Sequence, residues 1–466
     1  MDNSLKPYDK YKETDQLWLT KIPANWDMIK IKHLFNERIE KGFPNEVLLV
    51  ASQSMGVVPK SVYGNRTVMA MKDLHLLKLV KEGDFVISLR SFQGGIEYAY
   101  YQGIISPAYT VMKPKGVVTS GYFRHLAKSK TFIELLQMCV TGIREGQNID
   151  YNKLKHSRLP VPSLDEQDQI VRYLDWKLAK VNKFIKAKKK QIELLKEQKQ
   201  VIINQAVTKG IDSNVSLKES GIKCIGLIPK HWKLYQLGKI AKIVLSGLDK
   251  KSYEGQQSIL LCNYVDVYKN EYITDVLSFM KATASDAELA TLKLRKDDVI
   301  ITKDSESWDD IGVPAYVTQE IENLHCGYHL AILRTNKSLV LGEYLYDSFR
   351  SQYVQIQHKV KAKGVTRFAL GYQPIHDTVL LIPPIEEQEA IVEKIRIDCS
   401  IQDTFIIKLK KEIELLLEYK TSLLSDVVTG KVDVRNLYIE DAYGEVEIAE
   451  FEDSEDSEDE LLDTED

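Results

Sequence analysis

The sequence states one phrase twice. KKQIELLKEQK begins at Lys189, and KKEIELLLEYK begins at Lys410. The match extends far beyond these residues. At a fixed offset of 221, Leu159–Asp212 aligns with Leu380–Asp433 without a gap, with 19 identities in 54 positions. The strongest points are Pro162 with Pro383, and Glu166-Gln167-x-x-Ile170-Val171 with Glu387-Gln388-x-x-Ile391-Val392. AVTKGID (Ala206–Asp212) closes the first copy and VVTGKVD (Val427–Asp433) the second. A duplication constrains the fold strongly, because what one half builds the other must also build.

A second set of matches lies upstream at offset 206. Ile22-Pro23-x-x-Trp26 pairs with Ile228-Pro229-x-x-Trp232, and Lys12-Glu13 pairs with Lys218-Glu219. Each half therefore has an I-P-x-x-W entry, a variable block and a P-x-x-x-E-Q segment. Between these anchors the halves agree only faintly, as in KEGDFVISLR (Lys81–Arg90) against RKDDVIITKD (Arg295–Asp304). Two binding modules reading different targets leave this pattern, and so does drift after duplication.

The variable blocks alternate short apolar runs with turns: EVLLVAS, DFVISL and YTVMKP, then SILLCNYV, DVIIT and HLAILRT. These runs read as strands. YFRHLAKSKTFIELLQMC and EYLYDSFRSQYVQIQHKV read as helices. The repeated segments read as long helices. Ser163 and Glu166 suggest a capping box, and no Pro or Gly then appears until Gly210. Pro383-Pro384 introduces the second, which has no Gly until Gly430. Ile185, Lys188, Ile192, Leu195, Lys199, Ile202 and Ala206 keep a 3-4 spacing, as do Ile406, Leu409, Ile413, Leu416, Lys420, Leu423 and Val427. Such seams predict packing of the two helices on each other. The expected fold is α+β, with two recognition domains separated by two long helices packed as an antiparallel coiled coil, related by a pseudo-two-fold repeat. A seam of about 28 residues spans ~42 Å, a little more than one turn of B-DNA. It serves either as a spacer between two half-sites or only as a stabilising coiled coil. The expected boundaries are 1–160 and 213–382 for the domains, 161–212 and 383–436 for the helical regions, and 437–466 for an acidic, disordered tail.

Charge sharpens the reading. The chain has 63 basic and 67 acidic side chains, yet none of the 31 residues after Arg435 is Lys or Arg, and 15 are acidic. The rest therefore carries 63 − 52, about +11, which suits a polyanionic partner such as DNA. Lysine-rich helices also serve solubility alone. No apolar run is long enough to span a membrane, and the polar start is not a signal peptide. Five scattered cysteines suit a reducing cytoplasm, not a disulfide framework or zinc site.

The common catalytic signatures are missing from the sequence. It contains neither G-x-x-x-x-G-K-[ST] nor G-x-G-x-x-G. No Pro precedes Asp, and Pro383-Pro384 follows neither Asn nor Asp, so the usual nuclease and amino-methyltransferase signatures are missing too. His325-Cys326-x-x-His329 lies in a strand-like run, where the spacing suits structure better than chelation.

K-E-S-G-I-K-C-I-G-L-I-P-K-H-W (Lys218–Trp232), the two P-x-[LI]-x-E-Q helices, and the ends AVTKGID and VVTGKVD together resemble the specificity subunit of type I restriction–modification systems. The resemblance covers about residues 7–436. It departs from the usual pattern at Cys224 and at Asp15-Gln16. It implies that each variable block is a target recognition domain reading one half of a bipartite double-stranded DNA site. The helices would set the spacing and dock two modification subunits, which bring S-adenosylmethionine and adenine methyltransferase chemistry. Restriction subunits would add ATP- and Mg-dependent translocation and cleavage. The chain itself would be non-catalytic, hold no cofactor or metal, and work in the cytoplasm without a membrane.

The family places a Gly-containing basic loop just before each long helix. Here it matches Gly142-Ile143-Arg144-Glu145-Gly146-Gln147 and Gly364-Val365-Thr366-Arg367. Arg144 and Arg367 are the leading candidates for DNA contact, with Gln147 and Thr366 beside them, since arginine can read guanine bidentately. Arg90 and Gln93, and Lys303 in the second block, follow matching strands. Ser52, Gln53 and Asn263 are polar loop candidates for base edges. Trp26 and Trp232 read as core anchors. Two other classes compete: a protein scaffold built on the coiled-coil seams, and a self-sufficient methyltransferase, disfavoured by the missing motifs.

Overall fold

The computed structural model describes residues 5–63, 73–142, 147–222 and 225–439. The chain forms two compact units. Unit 1 comprises residues 1–188 with 411–466, and unit 2 comprises 189–410. Each long helix therefore contributes one half to each unit.

In unit 1, Tyr11–Gln16 and Leu19–Pro23 form an antiparallel hairpin that leads to Trp26. Strand Asp27–Lys30 pairs antiparallel with Arg158–Val161, so entry and exit of the variable block are zipped together. Between them lies a four-stranded antiparallel sheet in the order Phe35–Glu37, Thr110–Pro114, Phe85–Ile87, Glu97–Tyr98. Its strands are short and rich in β-branched and aromatic residues, as strand packing favours. Helices Ser120–Leu126 and Lys130–Met138 follow, each N-capped by the hydroxyl of the preceding residue, Thr119 or Ser129.

Unit 2 repeats the plan. Lys233–Gln236 pairs with Val379–Ile382 at the mouth of the block. A five-stranded sheet runs Ala241–Leu245, Leu330–Thr335, Val299–Thr302, Pro314–Val317, Tyr272–Ile273. A second sheet has three strands, Met280–Ala284, Gln257–Cys262 and Leu324–Cys326, where unit 1 has two-stranded pairs Leu49–Ser52 with Gly56–Pro59 and Lys78–Val80 with Gly103–Ile105. Helices Gly342–Arg350 and Gln352–Lys361 lead to the candidate loop at Gly364.

The repeated segments are helices Leu164–Lys209 and Ile385–Val428. The seam reading holds. Ile185, Ile192, Lys199, Ala206, Ile406, Leu423 and Val427 are buried, and the intervening seam positions are half-buried. The polar seam positions each find a partner on the facing helix. In unit 1, Asn182 meets Lys420 and Lys188 meets Glu412. Partner numbers fall as the chain advances, so the helices run antiparallel. In unit 2, Lys199 meets Asp403.

Each core is completed by both helices. In unit 1, Trp26, Tyr122, Phe35, Phe85 and Phe123 pack with Ile170 and Leu174 from the start of the first helix, and with Leu423, Val427 and Val428 from the end of the second. In unit 2, Trp232, Tyr344, Tyr346 and Phe349 pack with Ile203 and Val207 from the end of the first helix, and with Ile391 and Ile395 from the start of the second. Tyr122 Oη donates to the carbonyls of Pro160 (3.1 Å) and Val428 (3.0 Å), and Tyr344 Oη to that of Leu381 (2.8 Å).

The E-Q pairs explain why the frame was retained in both copies. Trp26 Nε1–H donates to Glu166 Oε1 (2.8 Å), and Trp232 Nε1–H to Glu387 Oε1 (3.0 Å). Gln167 Nε2 donates to the Pro162 carbonyl (3.0 Å) and the Val117 carbonyl (3.2 Å), while its Oε1 accepts from Thr119 N (2.7 Å). Gln388 does the same with Pro383, Leu339 and Leu341, at 2.9 Å each. Ser163 Oγ accepts from Glu166 N (3.4 Å), as an N-cap should. The Glu166 carboxylate does not close the capping box; it turns to Trp26, Tyr8 and Asn25.

Glu166 is buried, whereas the Glu387 side chain is 22% exposed and shared between Trp232 and His231. Glu166→Ala leaves the donors of Trp26, Tyr8 and Asn25 unpaired. It should destabilise the protein by about 3 kcal/mol, more than Glu387→Ala. Equilibrium denaturation monitored by tryptophan fluorescence checks the order.

Candidate nucleic-acid interface

In unit 1 the family loop is the tip of a hairpin formed by Val140–Thr141 and Asn148–Ile149. Gly142 begins the tip at φ +94°, a backbone state that favours glycine. Gln147 is exposed at the other side, and Arg144 lies outside the described residues. The short helix Ser91–Gly94 packs against strand Asn148–Ile149, which brings Arg90 and Gln93 beside the hairpin. Both side chains are exposed. Gln53 joins them: its Nε2 donates to the Arg90 carbonyl (3.1 Å), and its side chain lies over Gly94, where an added Cβ would come within 2.6 Å.

One residue of this cluster had not been singled out. Lys128 Nζ donates to the carbonyls of Gly94 (3.0 Å) and Gln53 (3.2 Å) and to both oxygens of Glu97 (2.8 and 2.7 Å). Lys128 thus ties the turn after Leu49–Ser52 to the Arg90–Gly95 segment. Burial outweighs the pull of the Lys128 ammonium and leaves the Glu97 carboxyl raised to about 7. The signal in the sequence was Gly94-Gly95, since a Cβ at Gly95 would lie 2.2 Å from the Ala127 carbonyl oxygen.

Ser52 does not belong to this surface. It is 4% exposed, and its Oγ accepts from Met55 N (3.3 Å) and contacts Ser54 Oγ (3.0 Å). It closes the turn that presents Gln53.

In unit 2 the corresponding loop spans Lys363 to Ala369, whose backbones pair at 3.2 and 2.9 Å. Thr366 and Arg367 are exposed at the tip. A Cβ at Gly364 would lie 1.9 Å from the Arg367 carbonyl oxygen, so the loop requires glycine there. Strand Phe368–Ala369 pairs antiparallel with Asp304–Ser305. The Arg367 loop is thereby joined to the segment that follows strand Val299–Thr302.

Lys303 and Asn263 lie near this loop but are already engaged. Lys303 Nζ pairs with Asp304 Oδ2 (3.1 Å) and sits 4.9 Å from the centroid of the Tyr328 ring. Asp304 also holds His329 Nδ1 (2.7 Å). Asn263 is the N-cap of helix Tyr264–Lys269 in a capping box with Asp266. Its side chain is committed to the helix end, which departs from the base-edge reading.

Aromatic planes add to this face. Tyr264 and Tyr268 stack at 5.6 Å between centroids with 15° between planes. Tyr268, Trp308 and Tyr328 are 43%, 54% and 49% exposed. The Tyr268 hydroxyl donates to Asp310 Oδ2 (2.5 Å), and that carboxylate, with burial, pushes the phenol up to about 12. These aromatics carried no spacing signal, because they lie on separate segments that only the fold gathers. Arg367 is near enough to Tyr264 to act on its phenol electrostatically, and a guanidinium with aromatic rings in its neighbourhood suits contact with phosphates and base edges.

His325 and His329 serve separate partners, the Asn323 carbonyl and Asp304. Among the described residues, no group of three or more His, Cys, Asp or Glu side chains is placed to hold a metal ion. Among them too, no helix is long and apolar enough to cross a membrane.

Helix Gln352–Lys361, which leads to the Arg367 loop, is anchored by His358, which is fully buried. Its Nε2 lies 2.9 Å from Thr378 Oγ1, and its Nδ1 has no hydrogen-bond partner. Burial, aided by Lys361, pushes His358 down to about 4 from its ordinary 6.5. The folded state therefore holds it neutral. This contribution to stability is complete above pH 6.5 and is lost as pH falls toward 4. At 1.36 kcal/mol per pH unit the loss reaches about 3 kcal/mol. His358→Gln should flatten that acid limb in denaturation curves measured from pH 4 to 7.

Residues 23–194 match the model of the type I restriction modification DNA specificity domain. The chain is 26% identical over 317 residues to the putative type I restriction enzyme MjaX specificity subunit of Methanocaldococcus jannaschii, covering 67% of each chain. It is 24% identical over 439 residues to the MjaVIII specificity subunit of the same organism, covering 90% of this chain and 95% of that one. The EcoKI specificity subunit of Escherichia coli is 25% identical over 333 residues, covering 69% and 68%. The fold is similar to a solved chain from work on complex assembly and conformational transition of the type I R-M system, with a TM-score of 0.64, 14% identity, and coverage of 88% and 99%. With its duplicated frame and its loops set ahead of the long helices, the chain is similar along most of its length to type I restriction–modification specificity subunits.

Proposed function

We propose that this protein is the DNA-recognition subunit of a type I restriction–modification complex, with each recognition block reading one half of a bipartite site. The observation that carries this reading is the repeated placement of one loop. In both units a loop, exposed in unit 2 and bounded by exposed Gly142 and Gln147 in unit 1, precedes the strand that pairs with the entry strand, and that pairing leads directly into a long helix. A retained frame around divergent loops is what two readers of different half-sites require.

On this reading Arg367 and Thr366 contact DNA in unit 2, with the nearby aromatics packing against sugar or base. In unit 1 the Gly142–Gln147 tip, including Arg144, acts with Arg90, Gln93 and Gln53. Phosphate contacts set register and base contacts set sequence. The long helices space the half-sites and dock two modification subunits. Those subunits supply the methyl transfer, restriction subunits supply cleavage, and this chain contributes no catalytic group.

Base-resolution methylation mapping of host DNA, with and without the gene beside its modification subunit, tests the reading. A split motif of two short half-sites should appear only with the gene. A stable complex that yields no motif would favour the scaffold reading. Arg367→Ala should relax one half-site by about 10- to 100-fold and leave the other intact. Equal loss at both half-sites would refute the assignment of one block to one half-site. Gly364→Ala should produce the same one-sided loss by displacing the Arg367 carbonyl, with little change in overall stability.

A further inference from the structure

The first long helix bears a spiral of lysines that reaches its solvent side at Lys183 and Lys186. Lys177, Lys180, Lys183 and Lys186 recur every third residue, and no Asp or Glu occurs from Trp176 to Ile192. The seam residues Val181 and Ile185 are buried, while Lys183 and Lys186 are exposed. Neither has an ion-pair partner among the described residues. Lys177 and Lys180 lie against the Trp176 ring, at 5.8 and 4.1 Å from its centroid.

The duplication supplies an internal control. At offset 221 the same four positions of the second helix are Asp398, Ile401, Thr404 and Ile407. The seam was kept in both copies and the lysines in only one. Lys177 also lies over Tyr419 of the facing helix, 5.9 Å from its centroid, so it is the exposed pair Lys183 and Lys186 that answers to something other than helix packing.

The other unabsorbed feature is the C-terminal segment. Residues 440–466 contain 15 Asp or Glu and no Lys or Arg. The chain enters this segment near the start of the first long helix, within unit 1. Gln169 Nε2 donates to the carbonyls of Val434 and Leu437, both at 3.0 Å. From Gln169 to Lys186 is 17 residues of helix, about 25 Å. Twenty-seven residues reach at most about 90 Å when extended. The acidic segment is thus long enough to lie along the whole face, and its attachment makes the encounter intramolecular.

We infer that the acidic segment 440–466 docks on the Lys177–Lys186 face of the first long helix and screens it from nucleic-acid phosphates. Carboxylates repeated along the segment can meet ammonium groups repeated along the helix in many registers, so the contact is electrostatic and salt-sensitive. A duplex that competes must displace the segment. Specific contacts made elsewhere by the recognition loops can supply that advantage, whereas random sequence cannot. The dock stands on the charge pattern alone, and the screening role rests on the DNA reading above.

Carbodiimide cross-linking of the full-length chain, followed by peptide mass spectrometry, tests the dock. Links from 440–466 should concentrate on Lys177–Lys186 and fall away at high salt. Links spread over exposed lysines throughout the chain would overturn the proposal. Truncation after Ile439 should raise affinity for a non-target duplex about tenfold at low salt. Adding Lys183→Glu and Lys186→Glu to the truncated chain should remove that gain. A gain that persists would show that the segment screens some other surface. Both lysines are exposed, so circular dichroism and melting should match the parent. If no form binds duplex even with the modification subunit, the screening role falls together with the DNA reading. Links confined to Lys177–Lys186 would still establish the dock.

Discussion

Each unit is organised around a buried indole that donates to a glutamate in the first turn of a long helix. Trp26 with Glu166 and Trp232 with Glu387 fix where the helix begins relative to the recognition block. The neighbouring glutamine, Gln167 or Gln388, bonds to the chain just before the helix and to the loop that leads to the block's paired helices. A buried, fully paired polar cluster of this kind is costly to break, because each lost partner strands another group. The end of the other long helix closes against the same tryptophan: Gly430 lies against Trp26 and Gly210 against Trp232. Both glycines have positive φ, +77° and +75°, and a side chain at either position would meet that wall.

This arrangement separates what must be kept from what can vary. The frame of entry hairpin, indole, E-Q turn and seam is under geometric constraint in both copies. The loops hung on it are constrained only at their roots. Unit 2 accordingly carries a three-stranded second sheet and exposed aromatics, while unit 1 carries two-stranded pairs and a Lys128 staple under Gln53 and Gly94. Divergent surfaces on a common support are a sound physical basis for reading two sequences with one fold.

The loops show how far local sequence can go. The tight, exposed turn at Gly364–Arg367 was legible because few residues other than glycine fit such a turn. Ser52 and Asn263 were not legible, since a short polar side chain that closes a turn or caps a helix looks the same in sequence as one that faces solvent. Lys303 was legible as a neighbour of the site but not as the partner of Asp304. The exposed tyrosines and Trp308 were invisible, because their proximity depends on strands far apart in the chain.

The sequence by itself determined the duplication, the two long helices, their seams and the α+β character of the blocks. Periodicity and repetition are properties of the chain, and burial at 3-4 spacing follows from helical geometry. Only the tertiary structure decided that the seam lysines take partners on the facing helix, that Glu166 turns away from its capping box to the indole, and that each core needs both helices. These outcomes depend on which groups meet across 100 or more residues. A buried polar atom takes whichever distant donor the packing brings within reach.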